Sequence, residues 1–377
     1  MPKQRLINAR RVVVKLGSNV ITAKNSLNLE LIESISSQIS HLMDNGVEVI
    51  LISSGAMAAG LRKMGMDRRP DEIPKRQAIS AIGQSGLMNA YEKSFGQFNK
   101  KVAQILLTAE DLNNRKRYLN ARNTLHTLIK WKVVPIINEN DTIMVEEIKL
   151  GDNDNLAAMI TLLMDADFLF ILTDIDGLYN KDPRQFSDAM LIPRVTRFKK
   201  EIKDFASDIP GTLGTGGMLS KIQAAQKVTS AGIPMIVARG NIPSILLHLF
   251  NGKEDGTYFV PKKEKMPSRK CWIAHTLAPK GSLVIDDGAV CAVQQNGKSL
   301  LAIGILAVEG DFEEGAAVSF KTAANEIVGI GLVNYRSFDI NLIKGLKTFQ
   351  IEGCLGDKHY DEVIHRDNLA LNDSCTL

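Results

Sequence analysis

Residues 12–18 read Val-Val-Val-Lys-Leu-Gly-Ser. Three β-branched residues suit an extended, packed backbone, and the two small residues at the end close the strand. Lys15 then stands at the carboxyl edge of a buried strand, just before a small-residue loop, which is where α/β proteins hold ligands. Working outward, the runs 47–52, 102–107, 133–137, 168–172 and 233–237 repeat the same apolar texture, with helical patterns between them. These runs are continuous rather than alternating, so both faces of the sheet are covered. The expected fold class is α/β, a three-layer αβα sandwich with a mainly parallel sheet. Leu31, Ile32, Ile35, Ile39 and Leu42 form one helical stripe stopped by Gly46, and 156–164 form another apolar helix after Asn and Asp residues suited to its cap.

Past residue 260 the texture changes to short strands separated by glycine, at Gly281-Ser-Leu-Val-Ile, Gly288-Ala-Val, Ile303-Gly-Ile-Leu-Ala-Val, Gly315-Ala-Ala-Val and Ile327-Val-Gly-Ile-Gly-Leu-Val. A chain of 377 residues exceeds one ordinary domain. The expected division is a domain over 1–260, a basic, proline-containing linker over 261–279, and a small β-rich domain with the C-terminal tail over 280–377. The net charge of +4 conceals an asymmetry, because residues 280–377 carry 8 Lys/Arg against 14 Asp/Glu. The larger domain is therefore basic and suits an anionic ligand. The four cysteines lack a CxxC pair and no stretch reaches membrane-spanning length, which argues against a zinc site, a disulfide framework or a membrane span and for a cytoplasmic protein.

Five further segments give Lys15 the company it needs, since a lone strand-end lysine is ordinarily only a surface charge. Ser53-Ser-Gly-Ala-Met-Ala-Ala-Gly60 follows the second strand; its small residues let backbone amides approach an anion, or cap a helix, and Ser54 can contact a substrate oxygen. Asn138-Glu-Asn-Asp141 and Gly151-Asp-Asn-Asp-Asn155 crowd Asn and Asp into two loops. Either alone reads as a turn, but together they can recognise an ammonium group through carboxylates and a carboxylate through amides. A calcium loop is not matched, because the Gly and terminal Glu of an EF-hand are missing. Thr173-Asp174 leads through Asp176-Gly-Leu-Tyr179 to Asp182-Pro-Arg184, a polar strand-end loop of a kind that lines nucleotide pockets. Gly211-Thr-Leu-Gly-Thr-Gly-Gly-Met-Leu-Ser-Lys221 opens a helix with exposed amides and a lysine one turn in, a phosphate cradle that is neither a Walker A loop nor a GxGxxG.

These motifs in this order resemble the glutamate 5-kinase family of the amino-acid kinase superfamily. The resemblance is carried by Val13-Val-Lys-Leu-Gly-Ser18, Ser54-Gly-Ala, Asn120-Ala-Arg-Asn-Thr124, Pro135-Ile-Ile-Asn-Glu-Asn-Asp141, Gly151-Asp-Asn-Asp-Asn155, Leu172-Thr-Asp174, Gly177-Leu-Tyr179 and Gly214-Thr-Gly-Gly-Met218 with Lys221. It implies ATP-dependent phosphorylation of the L-glutamate side-chain carboxylate, the first step of proline biosynthesis. It places Lys15, Thr173, Asp174, Thr215, Gly216, Gly217, Met218, Leu219, Ser220 and Lys221 at ATP, and Ser54, Asn138, Asp141, Asp152 and Asn153 at glutamate. Lys15, Lys221 and Asp154 become the catalytic group, with Asp154 organising the two lysines and Mg2+ held mainly by the ATP phosphates. Two departures touch the nucleotide side: Asn19 stands where the family has a second hydroxyl, and Ser220 where it commonly has threonine.

The C-terminal domain, over about 280–357, resembles a PUA module, but its acidic balance argues against RNA and for a structural or regulatory role. The resemblance further implies feedback inhibition by proline, a homo-oligomer (dimer or tetramer) built through the kinase domain, and glutamyl phosphate reductase as a downstream partner. A carboxylate is already ionised at neutral pH and attacks phosphorus without a general base. Kinases of aspartate, N-acetylglutamate or UMP share this lysine logic, and an RNA-binding protein with an inactive kinase domain is the alternative from another class.

Overall fold

The computed structural model describes residues 8–23, 26–143, 153–198, 202, 217–262, 267–357 and 359–372. The chain divides into two units, Met1–Lys265 and Met266–Leu377. In the first unit the opening apolar run forms β1 (Arg11–Leu16), at the centre of an eight-stranded sheet. Its other strands are β4 (Glu48–Ser53), β5 (Lys101–Leu107), β6 (Val133–Glu139), β7 (Phe168–Thr173), β8 (Arg194–Val195), β9 (Met235–Arg239) and β10 (Thr257–Phe259), while β2 (Thr22–Ala23) and β3 (Ser26–Leu27) form a separate ribbon. The order β5-β6-β4-β1-β7-β9-β10-β8 is parallel throughout except between β9 and β10. This is the parallel α/β sheet expected from the run of apolar segments.

Side-chain alternation along β1 decides what each face does. Val12, Val14 and Leu16 join the core that packs on α2 (Leu29–Asp44), α4 (Ile73–Gly96) and α9 (Ile245–Phe250), through Ile32, Ile35, Ile39, Tyr91, Phe95 and Leu246. Lys15 is out of phase with them and faces the opposite layer, where α7 (Asn153–Leu163) and α8 (Met218–Ser230) lie. Helix α2 carries the expected stripe, and the Asn28 side chain caps it by accepting from the Leu31 amide at 3.2 Å. Helix α7 begins at Asn153, so Asn153, Asp154 and Asn155 occupy its first turn rather than precede it. Among the described residues, the other helices of the unit are α1 (Ser18–Ile21), α3 (Ala56–Lys63), α5 (Ala109–Asn113) and α6 (Arg115–Lys130).

The second unit holds a five-stranded sheet, β12-β11-β13-β14-β15, built from β11 (Ser282–Ile285), β12 (Ile305–Glu309), β13 (Ala317–Lys321), β14 (Ile327–Leu332) and β15 (Leu369–Leu371). Two expectations change here. The stretch 261–279, read as a solvated linker, contains α10 (Ser268–Thr276), whose Cys271, Trp272 and Ile273 are buried. Gly288-Ala-Val, read as a strand, lies in α11 (Asp287–Gln294), because Asp286 caps that helix by accepting from the Ala289 amide at 2.7 Å. Two short helices, α12 (Ser337–Ile343) and α13 (Ile351–Leu355), complete the unit. Among the described residues no helix is long and apolar enough to cross a membrane.

Candidate active site

The connections leave β1 toward β4 on one side and receive β7 on the other, so the carboxyl ends of β1, β4 and β7 open on a crevice where an α/β sheet binds ligands. Asp154, in the first turn of α7, is 0% exposed at this point. Lys15 Nζ lies 2.5 Å from its Oδ1 and Lys221 Nζ lies 2.9 Å from its Oδ2. Both lysines are themselves buried. Burial alone would push the Asp154 carboxyl up, but the two ammonium groups outweigh it and hold the carboxyl well below the usual carboxylate range. One anion between two cations leaves a net positive charge among these three groups, which suits an anionic ligand. Ser220 Oγ lies 2.9 Å from Asp154 Oδ2 and 2.8 Å from the Gly217 carbonyl, so the serine that departs from the family threonine keeps the hydroxyl contact.

A second cluster adjoins the first through the backbone of α7. Asn153 Nδ2 donates to Ser54 Oγ at 2.8 Å and to Asn138 Oδ1 at 3.0 Å, which uses both of its protons. Asn138 Oδ1 also accepts from the Glu139 amide at 2.9 Å. These bonds set the polarity of the cluster: Ser54 has a hydroxyl proton to give, and Asn153 Oδ1 is buried with no partner among the described residues. Asn138 and Glu139, expected in a loop, end strand β6 instead, and Asp141 follows two residues beyond it. Burial pushes its carboxyl up, against a hydrogen bond from Ser80 on α4 and the charge of Arg69. Ser54 is held in turn by its neighbours, since Ser53 Oγ donates to the Ser54 carbonyl at 2.9 Å and lies 2.7 Å from the Tyr91 hydroxyl in the core. With the Ser53 proton committed, Tyr91 is the donor of that pair.

At the ends of β1 and β7 the Gly17 amide donates to the Leu172 carbonyl at 2.9 Å. A Cβ on Gly17 would stand 3.2 Å from that oxygen, so glycine permits the approach. Thr173 Oγ1 donates to Asp174 Oδ1 at 3.1 Å and Asn19 Nδ2 donates to Asp174 Oδ2 at 2.8 Å. Burial raises the Asp174 carboxyl, while these hydrogen bonds and the charge of Lys221 carry it below its ordinary value. Gly217, Met218, Leu219 and Ser220 lead into Lys221 at the start of α8. Asp152, Thr215 and Gly216 lie outside the described residues. The remainder of the 173–184 loop pairs within its own surroundings: Arg239 holds Asp176 through two bonds of 2.6 and 3.0 Å, Tyr179 donates to Asp176 at 2.9 Å, and Arg184 holds Asp182.

Residues 10–239 match the amino acid kinase family, and residues 281–355 match the PUA domain. The chain is 48% identical over 362 residues to the glutamate 5-kinase of Thermoanaerobacter sp. strain X514, covering 96% of this chain and 97% of that protein. It is also 48% identical over 367 residues to the glutamate 5-kinase of Geobacter sulfurreducens, covering 97% and 98%. The chain belongs to the glutamate 5-kinase family of amino acid kinases. A solved carbamate kinase from Giardia lamblia, bound to AMP-PNP, shares 18% identity with this kinase, with a TM-score of 0.49 over 68% of this chain and 100% of that one.

Of the residues expected at the site of this kinase, Lys15, Asp154, Ser220 and Lys221 form one group, Ser54, Asn138 and Asn153 a second, and Thr173 with Asp174 a third. Sequence reasoning passed over the bond from Asn19 to Asp174, the Tyr91–Ser53 support and Ser80. A signal for Asn19 was present in its departure from the family hydroxyl. Nothing near Tyr91 or Ser80 marks them, because each reaches the site from the middle of a long helix.

Proposed function

We propose that this chain transfers the γ-phosphoryl group of ATP to the side-chain carboxylate of L-glutamate, giving L-glutamyl 5-phosphate and ADP. A glutamate carboxylate oxygen forms the new bond to the γ-phosphorus, and the bond from that phosphorus to the β–γ bridging oxygen breaks, its electron pair leaving with ADP. The observation that carries this reading is Asp154, which joins Lys15 to Lys221 beside the Ser54–Asn153–Asn138 cluster. Two anions must meet here, so the site's task is charge and alignment rather than proton removal. Lys15 and Lys221 neutralise the transferring group, and Asp154 keeps both ammonium groups aimed at it.

In the substrate cluster, the Ser54 hydroxyl donates to a carboxylate oxygen. The Asn153 Oδ1 and Asp141 carboxylate, both acceptors, suit the α-ammonium group. Asp152 joins this set on resemblance. Thr173, Asp174 and the segment Thr215, Gly216, Gly217, Met218, Leu219, Ser220 and Lys221 serve ATP. Mg2+ on the phosphates supplies neutralisation of the triphosphate. Asn19 Oδ1, buried and without a partner among the described residues, forms with the Asp174 carboxylate an oxygen pair that fits a hydrated cation at the nucleotide. Proline as feedback inhibitor, self-association through the first unit, a cytoplasmic setting and a glutamyl phosphate reductase acting next complete the reading, all on the strength of the family.

Hydroxylamine traps acyl phosphates as hydroxamates and tests the reaction directly. With Mg2+ and ATP, L-glutamate is expected to yield hydroxamate while aspartate and N-acetylglutamate do not, and Lys221→Ala to lower kcat by about 10²–10³. Hydroxamate from another acid reassigns the substrate; none from any acid removes the kinase reading.

A further inference from the structure

We propose that Asn19 is a positioning residue for the metal–nucleotide complex, accepting a hydrogen bond at Oδ1 from a water bound to the divalent cation that ATP carries. The inference rests on the nucleotide reading given above and adds a residue to it. Asn19 lies in α1, which the Gly17–Leu172 backbone bond and the buried Val20 tie to the end of β7. Its amide orientation follows from its partner. Asp174 is an ionised carboxylate that can only accept, so Asn19 must present Nδ2 to it, at 2.8 Å, and Oδ1 must face the other way. That oxygen is buried and no group of the described protein donates to it. A buried acceptor left unpaired is costly, and in a binding crevice it marks a place for a donor that arrives with the ligand.

The chemistry at this end of the crevice narrows the donor. The charge of Lys221 reaches Asp174, so Asn19 and Asp174 stand near the lysine that would take the phosphoryl group. Phosphate oxygens at neutral pH accept and do not donate, and the Lys15 and Lys221 ammonium groups are directed to Asp154 and, in the reading above, to the transferring phosphoryl group. Water on a hard dication is a strong donor, and Mg2+ keeps several waters when it is bound through phosphates. One amide thus does two jobs here: its nitrogen fixes Asp174, and its oxygen receives the cation's hydration shell.

The test is calorimetric binding of ATP to the full chain, once with Mg2+ and once with EDTA, for wild type, Asn19→Ala and Asn19→Ser. Wild type is expected to favour the Mg2+ complex by about tenfold or more, and Asn19→Ala to lose most of that preference while changing metal-free ATP affinity by less than about twofold. Asn19→Ser, whose shorter hydroxyl cannot span both groups, is expected to lose it as well and serves if the alanine variant fails to fold. An equal loss for both forms of ATP, or an unchanged ratio, overturns the proposal. Wild-type protein that binds neither form of ATP instead sinks the nucleotide site itself.

Discussion

Asp154 concentrates the electrostatics of the molecule in one side chain, and its removal separates stability from catalysis. Asp154→Asn leaves two buried ammonium groups facing a neutral amide, which is expected to cost roughly 3–5 kcal/mol of stability. Because the folded carboxyl is held below its ordinary value, its contribution is complete above the ordinary carboxylate range and is lost only as pH falls through the depressed value. The stability gap between wild type and Asp154→Asn should therefore be flat through neutral pH and close in strong acid. MgATP should raise the melting temperature of the variant more than that of wild type, because the triphosphate supplies the missing negative charge. Asp141 has the opposite sign. Burial raises its carboxyl, so the protonated form is favoured in the fold; that stabilisation is present below the ordinary carboxylate value and lost as pH rises through the raised one. Asp141→Asn is thus expected to melt higher than wild type at neutral pH, with KM for glutamate raised about tenfold or more through loss of a charged hydrogen bond. Thermal melts across pH and steady-state kinetics check both variants.

At the level of elements, the crossing of α3 and α4 sets where Ser54 stands. A Cβ on Gly83 would lie 1.8 Å from the Ala56 carbonyl oxygen, and one on Gly60 would lie 2.0 Å from that of Ile79. The helices therefore meet backbone to backbone. Gly55, at φ 108°, turns the chain from β4 into α3, so the crossing holds the segment that carries Ser54. Gly83→Ala forces the helices apart and is expected to cost about 1–3 kcal/mol and to raise KM for glutamate severalfold with little change in KM for ATP. An equal rise in both constants would mean that the crossing supports the whole crevice. Helix α4 escaped the sequence reading for the same reason: its buried face includes Ser80, Gly83, Gln84 and Ser94, small or polar residues that blur an apolar stripe. Helix α2, with isoleucines at helical spacing, was plain.

For the whole molecule, the two hydrophobic cores share no residue, one running from Ala9 to Leu249 and the other from Leu283 to Leu369. The proposed catalytic residues all belong to the first unit. A chain ended after Lys265 is expected to fold and to keep most of its glutamate-dependent hydroxamate formation, measured beside the full chain. Folded but inactive protein would show that the second unit contributes to the reaction.

The parallel sheet, the position of Lys15 at a strand end and the Asn- and Asp-rich stretches at the end of β6 and the start of α7 were legible in the chain, because strand propensity, helical spacing and turn chemistry are written over a few neighbouring residues. The grouping of side chains was not. Asp154 meets a lysine 67 residues on, Asn19 meets a carboxylate 155 residues on, and Ser53 meets a tyrosine 38 residues on. Family resemblance supplied the first of these and nothing supplied the other two. Local pattern says that a segment is a strand or a helix, whereas contact between distant segments depends on strand order and register, and those are settled only when the layers pack and each buried polar group finds its partner.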